Sequence, residues 1–207
     1  LPQYCKDYLL FLTKQSNRTF LKFTRMHSKV HCLKAIAPNA KFIHIIRDPR
    51  RVVCSYLFGK NKKNMHRFPD ADTFFKRISN ASAWSSRSFS DFILKLNNYK
   101  LSEPIEDFKR ILLIWKYKYI QTDKIGKLYF GDNYMLIRHE DLLRDCRFTL
   151  SNISNVLGIQ FDVHVYEWAE TNIKELKSHD FLDDERWSGA FEKLRMNELL
   201  AQAGYEL

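Results

Sequence analysis

Hydrophobic residues in this chain occur in two kinds of pattern, short continuous runs and repeats at helical spacing. The continuous runs lie at residues 41–46 and 134–138, and an arginine ends each of them or follows it directly. Short apolar runs between polar segments are typical of strands that are buried on both faces. Residues 19–24 instead alternate between apolar and polar positions, which also predicts a strand.

Most of the remaining chain places its apolar residues three or four positions apart, which predicts helices. The predicted helices span residues 4–14, 25–37, 49–58, 70–99 in two pieces, 103–119, 148–157, 163–169 and 191–203. Residues 19–58 then have the order β-α-β-α, which implies parallel strands and a right-handed crossover. The predicted fold class is α/β.

The end of the first continuous run carries the strongest candidate for chemistry. Arg47 follows the strand, Asp48 suits a helix N-cap, and Pro49 suits the first helical position. Ser55 lies about two helical turns beyond Asp48 and therefore on roughly the same face. Strand ends and helix N-termini favour anionic ligands, so Arg47 and Ser55 can hold a phosphate together. A surface turn capped by an aspartate explains the same pattern equally well.

Composition narrows the classes of protein and partner. The chain has 207 residues, of which 45% are hydrophobic, and no shift in composition argues for more than one domain over residues 1–207. The net charge of +10 favours an anionic partner but does not choose between nucleic acid, lipid, acidic glycan and nucleotide. The four cysteines lack the spacing of a metal site, and reduced thiols in the cytoplasm are the default. No apolar run reaches the length of a membrane span.

The segment 41–56 resembles the 3′-phosphate-binding motif of sulfotransferases that use 3′-phosphoadenosine 5′-phosphosulfate (PAPS). In that family an arginine at the strand end and a serine eight residues later bind the 3′-phosphate, which implies these roles for Arg47 and Ser55. The Arg-Asp-Pro-Arg form of residues 47–50 is more similar to the carbohydrate and bacterial branches than to the cytosolic small-molecule branch. The resemblance implies a three-layer sandwich with a central parallel sheet, like that of P-loop NTPases.

Two further segments resemble the family more loosely. Residues 22–27 lie where many members carry a strand-end signature, which implies that Lys22 helps the sulfuryl group leave and that His27 is the general base. A strand-end lysine and a helix-capping histidine are the structural alternative. Residues 139–142, His-Glu-Asp-Leu, resemble the Tyr-Glu-Asp-Leu signature of the family. Here His139 would stack on the adenine in place of the tyrosine.

One hallmark of the family is missing. Members begin with a strand and a loop of the Pro-Lys/Arg-Ser-Gly-Thr-Thr type, which cradles the 5′-phosphosulfate, and no segment here has that pattern. We therefore expect a single sulfotransferase-like domain that lacks its N-terminal strand and 5′-phosphosulfate loop. If an N-terminal anchor has been removed, the lumen of the secretory pathway becomes the alternative compartment.

The reaction implied by the resemblance moves a sulfuryl group from PAPS to a hydroxyl or amine. It leaves 3′,5′-adenosine bisphosphate and requires no metal and no nucleic acid. A carbohydrate acceptor is favoured by the Arg-Asp-Pro-Arg form.

Three other classes compete with this interpretation. A P-loop kinase would need GxxxxGK[ST], which is absent. A non-catalytic nucleotide- or nucleic-acid-binding α/β domain would fit the positive charge, although the aromatic residues of segment 103–119 share its apolar face and are better interpreted as core. A sulfotransferase fold used only for binding is the third class, and the sequence does not exclude it.

Overall fold

The structure is a computed structural model that describes residues 2–24, 27, 29–58, 68–79, 86–174 and 181–205. The chain divides into two compact units. We call Leu1–Ile46 with Lys118–Lys174 the strand unit, and Arg47–Tyr117 with Glu175–Leu207 the helical unit. Each unit is described by itself.

Two strands, β1 (Phe42–Ile46) and β2 (Tyr134–Arg138), form the sheet found in the described part of the chain. A 3₁₀ turn at Gly131–Asn133 leads into β2. The helices are, in order, α1 (Gln3–Thr13), α2 (Val30–Ile36), α3 (Pro49–Phe58), α4 (Ala71–Phe75), α5 (Arg87–Leu96), α6 (Asp107–Phe130), α7 (His139–Arg144), α8 (Cys146–Leu157), α9 (Val163–Asn172), α10 (Arg186–Lys193) and α11 (Asn197–Gln202). The protein is therefore a mixed α/β structure with a small parallel sheet.

Both strands lie where the continuous apolar runs predicted them, and they are parallel. Phe42 lies opposite Tyr134 and Ile46 opposite Arg138. The ring of Phe42 packs 5.2 Å from that of Phe130 and 5.6 Å from that of Tyr134. The first contact packs the end of α6 against β1, and the second joins the two strands.

The predicted strand at residues 19–24 is wrong. This segment has no regular structure, and the side chain of Phe20 is 81% exposed. A strand requires a neighbour that accepts and donates its backbone hydrogen bonds, and no described strand lies beside this segment. The predicted β-α-β-α order and its first crossover are therefore not found, and β1 pairs instead with β2.

Several helix boundaries also differ from the prediction. The helix predicted for residues 25–37 begins at Val30, with residues 25, 26 and 28 outside the described residues. The helix predicted from residue 103 begins at Asp107 and continues to Phe130. The C-terminal helix is divided into α10 and α11, because Arg195 between them has a left-handed backbone with φ of 52°. Left-handed residues end an α-helix.

Aromatic side chains form the core of the helical unit. They pack edge to face or stacked, with ring centroids about 5 to 6 Å apart, and are Phe58, Phe68, Phe74, Phe75, Phe108 and Trp187. Trp115, another aromatic residue of α6, is also buried at 5% exposure. The burial of Phe108, Trp115 and Tyr119 confirms that the aromatic residues on the apolar face of segment 103–119 are core residues. No helix in the described ranges is long and apolar enough to cross a membrane.

Candidate functional site

The junction between β1 and α3 begins with a capping aspartate. Asp48 is 6% exposed, and its Oδ1 accepts a hydrogen bond of 2.7 Å from the backbone N–H of Arg50. Its carbonyl accepts the backbone N–H of Val52 at 3.0 Å, and α3 begins at Pro49. The predicted cap is confirmed, because an aspartate in this position satisfies donors that the first turn of a helix leaves open.

The same carboxylate also forms an ion pair. Arg50 Nη2 lies 2.7 Å from Asp48 Oδ2, and Arg50 Nε lies 3.1 Å from both carboxylate oxygens. This forked contact uses the planar geometry of the guanidinium and is stronger than a neutral hydrogen bond. The negative charge beside the start of α3 is thus balanced by Arg50.

The backbone carbonyl of Arg47 has a hydrogen-bond partner, whereas its side-chain Nε–H has none among the described residues. Its carbonyl accepts a hydrogen bond of 3.0 Å from the indole Nε1–H of Trp115. Its side chain is half-buried, and the buried Nε–H has no hydrogen-bond partner among the described residues. Buried donors without partners are rare and cost free energy. A ligand with acceptor oxygens would satisfy this donor.

Ser55 lies on α3 and is exposed to solvent. Arg47 and Ser55 both belong to the helical unit. As the sequence pattern predicted, Arg47 directly follows β1 and Ser55 lies on the helix that comes next, α3. Cys54, which precedes Ser55 on α3, is fully buried. Burial raises the pKa of the Cys54 thiol to about 12, although the charges of Arg51, Arg47 and Arg50 act in the opposite direction. Cys54 is a packing residue, and three guanidinium groups lie close enough to influence it.

The candidates for catalysis lie in the strand unit. Lys22 is exposed on the irregular segment that follows α1, so it does not occupy a strand end. His27 is half-buried, and burial lowers its pKa to about 4, helped by the positive charges of Lys118 and Lys29. His27 is therefore neutral at pH 7 and can accept a proton.

His139 is the first residue of α7 and follows β2 directly. It is half-buried. Two arginines hold the neighbouring Asp141: Arg138 Nη2 lies 2.6 Å from Asp141 Oδ1, and Arg144 Nη2 lies 2.8 Å from the same oxygen. The hydrogen bond from Arg138 lowers the pKa of Asp141. These ion pairs fix the turn on which His139 sits.

The structure also brings together a polar group that the sequence analysis missed. His44 Nδ1 lies 2.9 Å from the Tyr134 hydroxyl, which donates a hydrogen bond of 3.0 Å to Asp123 Oδ1. Burial lowers the pKa of His44 to about 4 and raises the pKa of Tyr134. A histidine in the middle of an apolar run was the only signal in the sequence, because its partners are separated from it by about 80 to 90 residues.

The described residues contain no group of three or more histidine, cysteine, aspartate or glutamate side chains arranged to hold a metal ion. The four cysteines, all of them within the described ranges, form no disulfide.

Comparison with known proteins identifies the family. Residues 3–195 match the family model of the sulfotransferase domain. Carbohydrate sulfotransferase 1 from Homo sapiens and the protein of the same name from Mus musculus are each 24% identical to this chain over 186 residues. These matches cover 82% of this chain and 39% of each relative, so the chain spans about two fifths of the length of the curated relatives it matches. No solved structure matches the chain. Since the family match covers most of its length, this chain belongs to the sulfotransferase domain family.

Proposed function

We propose that the protein transfers a sulfuryl group from PAPS to a hydroxyl or amine of a carbohydrate acceptor. Family membership supports sulfotransfer, and the relatives named carbohydrate sulfotransferase 1 support the acceptor class. PAPS supplies the sulfuryl group that is transferred. The observation that carries the proposal is the buried Nε–H of Arg47 directly after β1, which has no hydrogen-bond partner among the described residues.

Arg47 and Ser55 are the proposed ligands of the 3′-phosphate. Phosphate oxygens would accept the Nε–H of Arg47, and a guanidinium binds phosphate through two parallel hydrogen bonds. The Ser55 hydroxyl is exposed and can donate one more. Because Asp48 pairs with Arg50, the capping carboxylate is already balanced by a positive charge. We assign adenine stacking to His139, whose imidazole lies at the start of α7.

The chemistry requires two changes at sulfur and one proton transfer. The bond between sulfur and the phosphate oxygen breaks, a bond to the acceptor oxygen or nitrogen forms, and the acceptor loses a proton. We assign His27 as the base that accepts this proton and Lys22 as the group that stabilises the leaving oxygen. His27 is neutral at pH 7, as a base must be, but a pKa of about 4 makes it a weak base. No metal ion is assigned to this reaction.

The wider organisation is part of the same proposal. We assign the chain to one sulfotransferase-like domain over residues 1–207, with the three-layer sandwich and central parallel sheet of P-loop NTPases. Strands β1 and β2 would belong to that sheet. The contacts that we assign to PAPS involve the half of that molecule that carries the 3′-phosphate. The cytoplasm remains the predicted compartment, with the lumen of the secretory pathway as the alternative.

Calorimetric titration with 3′,5′-adenosine bisphosphate tests the donor site. We expect micromolar binding to the protein and a loss of at least about tenfold in Arg47→Ala, because a hydrogen bond to a charged group contributes about 1.5–3 kcal/mol. Ser55→Ala should weaken binding less. AMP, which lacks the 3′-phosphate, should bind weakly to all variants. Arg87→Ala is the matched control, since Arg87 is an exposed arginine at the start of another helix in the same unit.

Equal binding of 3′,5′-adenosine bisphosphate and AMP, or unchanged binding in Arg47→Ala, would refute the 3′-phosphate site. Transfer from PAPS to a panel of oligosaccharides then tests the reaction. Binding without transfer would favour the non-catalytic nucleotide-binding alternative. If transfer occurs, His27→Gln and Lys22→Met should lower kcat more than they change KM, because both residues are assigned to the transition state.

A further inference from the structure

A groove in the helical unit is lined by none of the residues assigned to the donor. Its volume is about 490 Å³, which lies in the range of ligand pockets. Its polar wall consists of Lys76, Tyr99, Glu103, Glu106, Lys109 and Lys193. The groove is open to solvent and is therefore a second surface of this chain against which a small ligand can pack.

Two of the three lysines that line the groove form ion pairs with carboxylates, and the third can bind an anionic ligand. Lys109 Nζ lies 2.6 Å from Glu106 Oε1, and Lys76 Nζ lies 2.6 Å from Asp72 Oδ2. Lys193 is exposed and forms no ion pair with any described residue. Burial would raise the pKa of Glu106, but the hydrogen bond from Lys109 and the charges of Lys109 and Lys193 lower it. The Glu106 carboxylate therefore remains ionised, and Lys193 can pair with an added anion.

An aromatic residue in the groove is held in place by the end of α5. Asn98 has a left-handed backbone with φ of 62°, and the backbone N–H of Tyr99 donates to the carbonyl of Leu94 at 2.9 Å. This is the hydrogen bond of a Schellman motif, which closes the C-terminus of a helix. The ring of Tyr99 is half-buried and shares the groove with the apolar side chain of Pro104.

We propose that this groove binds an acidic sugar unit, one that carries a sulfate or a carboxylate. The ring of Tyr99 would pack against the pyranose ring of the sugar. Lys109 and Glu106 would form hydrogen bonds with the sugar hydroxyls, and Lys193 would bind the anionic group. A flat ring beside charged donors and acceptors suits a sugar, which presents both C–H faces and hydroxyls. The choice of carbohydrate rests on the proposed function, whereas the preference for an anion rests on Lys193.

Calorimetric titration of the protein with three probes tests this assignment. The probes are a chondroitin sulfate tetrasaccharide, the neutral chitotetraose and inorganic sulfate. We expect the sulfated tetrasaccharide to bind at least about tenfold more tightly than the other two. Lys193→Gln should remove most of that preference, and Tyr99→Ala should weaken binding of both oligosaccharides. Lys95→Gln, which changes an exposed lysine outside the groove, should behave as wild type.

Chitotetraose binding as tightly as the sulfated probe would overturn the acidic-sugar assignment, as would unchanged binding in Lys193→Gln. No binding of any oligosaccharide would overturn the site altogether. Thermal melting separates loss of the fold from loss of the site, and Tyr99→Phe keeps the ring if Tyr99→Ala unfolds. Arg47→Ala should bind the tetrasaccharide normally, so failure of the groove and failure of the donor site give different results.

Discussion

Acid should destabilise the strand unit through His44. The imidazole is largely buried on β1, and its Nδ1 lies 2.9 Å from the Tyr134 hydroxyl. Burial lowers its pKa to about 4, and the nearby negative charge of Asp123 offsets only part of that effect. An unfolded histidine has a pKa of about 6.5. The unfolded chain therefore binds this proton at a higher pH than the folded protein does.

The sign and the size follow from the two pKa values. Stability contributed by neutral His44 is fully present above about pH 6.5 and is lost as the pH falls towards the folded pKa of about 4. At 1.36 kcal/mol for each pH unit, the full loss is about 3 kcal/mol, most of it complete by about pH 4.5. His27 changes in the same direction, but it is more exposed and solvent screening makes its contribution smaller.

Urea unfolding between about pH 7.5 and about pH 4.5 measures this loss directly. His44→Gln removes the titrating group, so its free energy of unfolding should depend less on pH in this range. His164→Gln is the control, because His164 is an exposed histidine of α9 in the same unit. A wild-type free energy of unfolding that stays constant across this range would contradict the role of His44. So would equal slopes in wild type and His44→Gln, or an NMR pKa of His44 above about 6.

Three substitutions test the packing around the site and the sheet. Asp48→Ala should lower the free energy of unfolding by about 1 kcal/mol or more through loss of the α3 cap, and should weaken binding of 3′,5′-adenosine bisphosphate; unchanged melting and binding would contradict this. Gly126→Ala should destabilise by about 1–3 kcal/mol, since an added Cβ would lie 2.3 Å from the Tyr134 ring, and a melting temperature equal to wild type would show that the ring moves away easily. Asp107→Ala should cost about 3–5 kcal/mol, because the Asp107 carboxylate is buried and lies 3.0 Å from Arg77 Nε, and a smaller loss in urea unfolding would mean that Arg77 finds another partner.

Much of the secondary structure follows from local sequence. Strands β1 and β2 lie at the two apolar runs, and α3 begins at Pro49 behind its capping aspartate. These features depend on residues that are close together in the chain, so hydrophobic pattern and capping chemistry predict them. The same signals led to the sulfotransferase motif at the β1–α3 junction, and the family match confirms the resemblance.

The prediction failed where a segment depends on a distant neighbour. Residues 19–24 alternate like a strand, yet Phe20 stays 81% exposed because no described strand pairs with them. The separation of α10 from α11 was also missed, since the left-handed backbone of Arg195 is not signalled by a glycine. In both cases the residue types alone permit more than one backbone conformation.

The candidates for binding a phosphate are evident from the order of residues along the chain: an arginine at a strand end, a capping aspartate and a serine two helical turns later. Their environments become known only from the folded protein. In the folded protein Asp48 pairs with Arg50, the buried Nε of Arg47 has no partner within the described ranges, and His44 is joined to Tyr134 and Asp123. Burial and hydrogen bonding depend on residues that are far apart in the chain, and these two factors set the charge state and the available donors of each side chain.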